Sequence, residues 1–198
     1  MSYFRQQLED WLKTIDVKAD RALDIGGGAN PVKGRTKSWE VKEYRILDNK
    51  LEKMKQKPDY VCDINQPIFA NIVVQDISDD KRFDVIFCLE VMEYVWNPHS
   101  ALLNIAFMLN KNGILYISFP FLYPHHNPKG YDYLRYTRWG VKKLLEETGF
   151  KILELKSRKM YNKSYAYWRE FMRIEKMHPC KDYDGHIETG YLVKAKRI

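Results

Sequence analysis

The chain has 198 residues, 45% of them apolar and 14% aromatic, and a formal net charge of +7. That composition buries one core of ordinary size and excludes a disordered chain. No apolar run approaches the roughly 18 residues that span a bilayer, MSYFRQQLEDWLK lacks a signal-peptide core, and Cys62, Cys88 and Cys180 form no CxxC pair, so a reducing, cytoplasmic setting is expected.

Residues 2–14 read as a helix, with Phe4, Leu8, Trp11 and Leu12 on one face and Ser2 as cap. RALDI is a short apolar strand that ends in a glycine turn. EYRILD is a second strand, stopping at Asp48. DYVCDI is a third, passing through Asp63, and FDVIFCLEV is a fourth, fully buried one. A helix starts near Pro98 with Ala101, Leu102, Ile105, Ala106 and Leu109 on its inner side, and Gly113 breaks it before a fifth strand, ILYISF. A loop rich in Pro and Tyr runs from Pro120 to Arg138. Thr137 caps the next helix, which holds Val141, Leu144 and Leu145 and ends at Gly149. KILELK is the sixth strand and YLVKAKRI the last.

Strands that alternate with helices predict an α/β fold: a mostly parallel sheet with helices on both faces. One domain is expected over 1–198, with an N-terminal helix in 1–17 and an insertion at 158–186 between the last two strands. Right-handed crossovers place the ends of strands one to four on one edge, where such sheets bind ligands.

Charge is unevenly spread. Residues 151–198 hold 12 Lys/Arg and 6 Asp/Glu, a net +6, interleaved with Tyr161, Tyr165, Tyr167, Trp168, Phe171 and Tyr183. Two readings follow: a solvated helix with a buried aromatic face, or a surface for an anionic substrate or partner.

The sharpest local feature is Asp24-Ile25-Gly26-Gly27-Gly28-Ala29-Asn30-Pro31. Glycines directly after a strand let the backbone turn and let a ligand approach closely. Pro31 stands where a dinucleotide fingerprint has its third Gly and spoils the helix start that would hold a pyrophosphate, which argues against a nicotinamide oxidoreductase. No GK[ST] follows, so a P-loop is excluded. A nucleoside-like ligand without a pyrophosphate fits. Asp48, 22 residues beyond Gly26, can accept two hydrogen bonds from a ribose diol. Asp63 can accept from an adenine amino group while Ile64 packs on the ring. Each also has a plainer reading, as a turn residue or a helix cap.

These residues resemble the class I S-adenosylmethionine-dependent methyltransferases over residues 18–157. The acidic residue and GxGxG of that family match Asp24, Gly26 and Gly28, with Asn30 in place of the third Gly. Its ribose and adenine acids match Asp48 and Asp63. Its fourth-strand segment is similar to Cys88-Leu89-Glu90-Val91-Met92-Glu93-Tyr94-Val95, with Tyr94 at the usual His position. Lys111-Asn112-Gly113 replaces its Pro-Gly-Gly turn. The stretch from Tyr131 to Thr137, followed by Leu144 to Phe150, resembles small members that methylate glycans or metabolites. The resemblance implies a Rossmann-like αβα sandwich whose seven-stranded sheet ends in an antiparallel strand. It also implies S-adenosylmethionine as cofactor, held by Asp24, Gly26, Gly27, Gly28, Asp48, Asn49, Asp63, Ile64 and Leu89.

Methyl transfer to a hydroxyl is helped by a general base. His125 and His126 lie on the expected active edge and are the first candidates, with Glu90 and Glu93 as alternatives. Adjacent His side chains rarely converge on one ion, so no metal is expected. Tyr123, Tyr131, Tyr133, Tyr136 and Trp139 can line an acceptor pocket or simply cover the sheet end. The resulting expectation is methylation of a small molecule or glycan, on oxygen. A nucleic-acid or protein methyltransferase using the basic C-terminal region is one rival, and a non-catalytic binding module of the same fold is another.

Overall fold

A computed structural model describes residues 1–49, 55–66, 81–125, 130–177 and 187–198. Ser2 accepts the Arg5 amide at 3.2 Å and opens helix α1, Tyr3–Leu12, which buries Leu8, Trp11 and Leu12. Strands β1 (Asp16–Ile25), β2 (Ser38–Asp48) and β3 (Tyr60–Val61) follow, then β4 (Phe83–Cys88) and a 3-10 turn over Met92–Tyr94. Asn97 caps helix α2, Pro98–Met108, by accepting the Ser100 amide at 3.2 Å. The chain continues through β5 (Leu109–Pro120), α3 (Arg138–Glu147), β6 (Phe150–Lys159), α4 (Asn162–Ile174) and β7 (Glu188–Arg197).

The seven described strands form one sheet in the order β3-β2-β1-β4-β5-β7-β6. Neighbouring pairs from β3 to β5 are parallel, whereas β7 runs antiparallel to both β5 and β6. The sandwich with its antiparallel last strand is thus the observed architecture. Alternation along the strands divides the core. Leu23, Ile86, Ile117 and Val193 face α2 and α3, and Ala22, Val85, Phe87, Tyr116 and Leu192 face α1.

Several bounds differ from the sequence expectations. β1 and β2 begin five residues earlier than RALDI and EYRILD, because Asp16–Ala19 pairs with Ser38–Val41 and packs Val17, Trp39 and Val41 into the core on the α1 side. No helix joins these strands. Residues 26–37 must return along the nine-residue rise of β1, about 30 Å, and do so through successive turns. Wound as a helix they would reach about 18 Å. Val32, fully buried, pins this return across the α1 face. Leu109 belongs to β5, not to the preceding helix. The register slips between Phe83 and Val85, and Asn112 adopts φ +66° opposite that slip. β3 is two residues long, and β6 extends past KILELK to Lys159. Helix α4 occupies part of the segment expected as an insertion.

Candidate cofactor and acceptor site

The ends of β1 to β4 surround one cavity of about 370 Å³. It is lined by Asp24, Ile25 and Gly26 after β1, Asp48 and Asn49 after β2, Asp63 and Ile64 after β3, and Leu89, Glu90 and Val91 after β4. A parallel sheet brings these stretches together because its crossovers return each chain to the same edge.

The glycine turn is built by contact. Gly26 holds φ +75° and donates its amide to the Leu47 carbonyl at 2.8 Å, and a Cβ on it would sit 2.4 Å from Val91 Cγ2. A Cβ on Gly27 would lie 2.4 Å from the Asp24 carboxyl group. Gly26 lines the cavity itself, whereas Gly27 leaves room for Asp24 and Gly28 donates its amide to Asp48 Oδ2 at 3.2 Å. Asp24 is buried. Its Oδ2 accepts from the Val32 amide at 2.7 Å and from Tyr44 Oη at 2.6 Å. Burial raises its pKa to about 6, and the bonds from Tyr44 and Val32 oppose a larger rise. Asp24 therefore ties the glycine turn to the β1–β2 return as well as walling the cavity.

Asp48 Oδ1 accepts the Asn49 amide at 2.8 Å. In Asp63 both hydrogen bonds converge on Oδ1, from the Asn65 amide at 2.9 Å and the Asn65 side chain at 2.8 Å. Oδ2 of Asp63 accepts no hydrogen bond from a described residue, so this carboxylate keeps an acceptor face. Asn65 Oδ1 accepts the Asn97 amide at 3.0 Å, which links the Asp63 turn to the start of α2. Asn104 clamps the same turn by donating to the carbonyls of Ile64 and Gln66 at 2.9 and 2.7 Å.

Glu90 has a left-handed backbone, φ +58°. Its amide donates to Ser118 Oγ at 2.7 Å, and its Oε1 accepts from Ser118 Oγ at 2.8 Å and from Arg158 Nη2 at 2.6 Å. Burial pushes the Glu90 carboxyl up, but the charge and hydrogen bond of Arg158 prevail and hold it below its ordinary value. Arg158 is 1% exposed, and its guanidinium lies 3.8 Å from the centre of the Phe4 ring. Its Nε and Nη1 find no hydrogen-bond partner among the described residues.

The other candidates are placed differently. His125 does not line the cavity. Its side chain is 99% exposed, with Nδ1 3.4 Å from Asp132 Oδ2, and Asp132 is itself held by Arg135 at 2.5 and 2.7 Å. His126 lies outside the described residues. Glu93 is buried beneath the 3-10 turn. Tyr94 and Tyr131 line the cavity, and Trp96 and Tyr133 pack edge to face at 5.7 Å. Burial, with Glu93 nearby, pushes the Tyr94 phenol well up, so it is a hydrogen-bond donor rather than a base. Burial likewise raises the thiols of Cys62 and Cys88, so neither is a thiolate nucleophile. Among the described residues no group of three or more His, Cys, Asp or Glu gathers where it could hold a metal ion.

Sequence reasoning missed two lining cations, Arg5 from α1 and Arg35 from the β1–β2 return. Glu9 orients both, accepting from Arg5 Nε and Arg35 Nη2 at 2.8 Å each. The Arg5–Glu9 spacing of four on a helix was the available signal.

Glycine turn, paired carboxylates and mixed sheet together define a class I methyltransferase. The chain belongs to the methyltransferase-domain family, of the S-adenosylmethionine-dependent type, and the family model matches residues 2–155. It is similar to the ubiquinone biosynthesis O-methyltransferase of Glaesserella parasuis, 39% identical over 56 residues, which is 25% of this chain and 24% of that one. The same enzyme from Rickettsia typhi is 29% identical over 108 residues, 52% of this chain and 42% of that one. The chain thus spans less than half the length of these curated relatives. An S-adenosylmethionine-dependent methyltransferase of Mesorhizobium loti shares the fold, with TM-score 0.61, 15% identity and 98% of each chain covered.

Proposed function

We propose that the protein transfers the methyl group of S-adenosylmethionine to a hydroxyl oxygen of a small molecule or glycan. The observation that carries this reading is a single cavity in which the Asp48 and Asp63 carboxylates stand beside a glycine turn too tight for a Cβ. Its volume of about 370 Å³ suits a nucleoside with a short amino-acid tail. Asp48 accepts from the ribose diol, and Asp63 accepts from the adenine amino group. Ile64 and Leu89 pack on the ring, with Asn49 beside the ribose. Arg5 offers a cation to the carboxylate of the methionine tail.

When bound, the cofactor supplies a methyl group already activated by its sulfonium. The protein's part is to position the acceptor and exclude water. Tyr94 and Tyr131 form the acceptor wall, a flat apolar surface for an aromatic or sugar ring. The Glu90 carboxylate, committed to Arg158, contributes negative charge beside the cavity rather than proton transfer. His125, in the loop from Pro120 to Arg138, stands outside the cavity and can take a hydroxyl proton only from an acceptor that reaches past the rim. The names of the relatives, O-methyltransferases acting in ubiquinone biosynthesis, support oxygen as the acceptor atom and a small molecule as its carrier.

Calorimetry with S-adenosylhomocysteine tests the cofactor site. The wild type should bind, and Asp48→Ala should weaken binding by at least about tenfold, the loss of one or two charged hydrogen bonds. Absence of heat with the wild type, or equal affinity in the variant, overturns the proposal. A panel of phenols and sugars assayed for methylated product then identifies the acceptor.

A further inference from the structure

We infer that Trp96 and Tyr133 form an outer subsite for a second sugar ring of the acceptor, which makes that acceptor a glycan or glycoside. This rests on the methyl-transfer reading and narrows its substrate class. Two stretches of chain leave the cavity side by side. Tyr94 and Val95 line it and Trp96 follows, while Tyr131 lines it and Tyr133 stands two residues further on. The amides of Tyr133 and Leu134 both donate to the Glu93 carbonyl, at 2.8 and 3.4 Å, and Tyr136 Oη donates to the Met92 carbonyl at 2.9 Å. These bonds pin one stretch against the other. Trp96 and Tyr133 thereby meet edge to face, with ring centres 5.7 Å apart. Neither lines the cavity, and they stand 68% and 42% exposed.

An open pair of rings at a cavity mouth suits a ligand that is apolar on one face only. A pyranose ring is such a ligand. Its axial C–H bonds meet the negative face of an indole or phenol, while its hydroxyls remain in water. A wholly apolar chain or an aryl ring would keep its outer face wet here, because Trp96 backs a ligand from one side. Single-stranded nucleic acid also stacks on exposed rings, but it needs cations alongside for its phosphates. Segments 92–99 and 130–137 hold one Arg against one Glu and one Asp, and that Arg135 is bound to Asp132 at 2.5 and 2.7 Å. The polar groups suit hydroxyls instead. Asp132 lies between Tyr131 and Tyr133, and exposed His125 holds Nδ1 3.4 Å from its carboxylate, which leaves Nε2 for a sugar hydroxyl.

The spacing fits consecutive sugar rings. Two residues of chain span at most about 7 Å, the order of one sugar ring with its linkage. A ring against Tyr94 and Tyr131 inside the cavity thus leaves the next one over Trp96 and Tyr133. Trp139 is a contrast. It is 71% exposed, but the Lys142 ammonium lies 4.6 Å from the centre of its ring.

Fluorine NMR of the full chain labelled with fluorotryptophan is the test, with Trp96→Phe assigning one of the five Trp lines. Glucose, N-acetylglucosamine and the trisaccharides maltotriose, cellotriose and chitotriose are titrated with and without S-adenosylhomocysteine. At least one trisaccharide should shift the Trp96 line saturably and leave the Trp139 line in place. Saturation-transfer NMR of the sugars gives affinities. That trisaccharide should bind about tenfold tighter than its own monosaccharide, Trp96→Ala should remove the advantage, and Trp96→Phe should keep part of it. Both variants should keep the wild-type circular dichroism and affinity for S-adenosylhomocysteine, which separates a lost subsite from lost folding. The inference is overturned if no trisaccharide shifts the Trp96 line, if none outbinds its monosaccharide, or if Trp96→Ala binds the trisaccharide as the wild type does. It is also overturned if geraniol, naphthol or oligouridylate occupies Trp96 more tightly than every trisaccharide. Failure of the sugars while S-adenosylhomocysteine still binds leaves the methyl-transfer reading standing with a smaller acceptor. Failure of S-adenosylhomocysteine strikes that reading, and the Trp96 line still reports on the subsite.

Discussion

Asp24 shows how one side chain serves both fold and site. Its carboxyl group is sealed under the glycine turn, where ionisation costs more than in water, and so its pKa rises to about 6. The sign follows from proton linkage. Between pH 4 and 6 the folded chain holds this proton more tightly than the unfolded chain does, so this group's contribution to stability falls as pH rises, by about 3 kcal/mol in all. Asp24→Asn keeps an acceptor for the Val32 amide and removes the ionisation. Urea unfolding at a series of pH values should show the variant gaining on the wild type from pH 4 to pH 6 and holding a constant difference above. Glu43 acts in the opposite sense. Hydrogen bonds from Arg21 and Arg45 lower its pKa to about 2, so its contribution is full above its ordinary value of 4.5 and fades as pH falls toward 2. Glu43 is partly exposed, which keeps that contribution small.

Among the elements, β4 and β6, which β5 and β7 separate in the sheet order, are joined by Glu90, just after β4, and Arg158. Arg158→Met should destabilise the fold by about 3 kcal/mol in urea unfolding, because Glu90 then keeps a buried charge without its counter-ion. Glu90→Gln added to Arg158→Met should recover part of that loss. Glu90 gains most from Arg158 when ionised, so the cost of Arg158→Met should be small at low pH and keep growing as pH rises past 4.5, because burial without Arg158 raises the Glu90 carboxyl in the variant.

The sequence foretold this region unevenly. Asp48, Asp63 and the glycine turn were legible because each follows an apolar strand at a spacing that only one sheet edge satisfies. Arg158 was not, since KSRK reads as a solvated strand end and its partner lies 68 residues away. Arg5 was hidden on the polar side of a helix whose apolar face drew the reading. The early halves of β1 and β2 were missed because KADR and WEVK are dominated by charges, which pair across the strands as Lys18–Glu40 and Asp20–Lys42.

At the scale of the whole molecule, the two faces of the sheet are unequally clothed. α2 and α3 cover one, while α1 and the β1–β2 return around Val32 cover the other. The basic field concentrates on the last quarter, in α4 and the strands beside it. The α/β class and strand succession were readable from periodicity, but the antiparallel last strand came from the family resemblance rather than from any local pattern. No described helix is long and apolar enough to cross a membrane.

The direct return between β1 and β2 also bears on how the chain finds its fold. Parallel strands ordinarily wait for a long excursion to close, yet only residues 26–37 separate this pair, and the entropy of bringing its ends together is correspondingly low. β1 and β2 should therefore nucleate the sheet, with the hairpin of β6 and β7 docking afterwards. Stopped-flow refolding should give φ-values above about 0.5 for Ile46→Val in β2 and below about 0.3 for Val193→Ala in β7. Asp48, which closes β2 at the cavity, would then be mounted on the part of the molecule that assembles first.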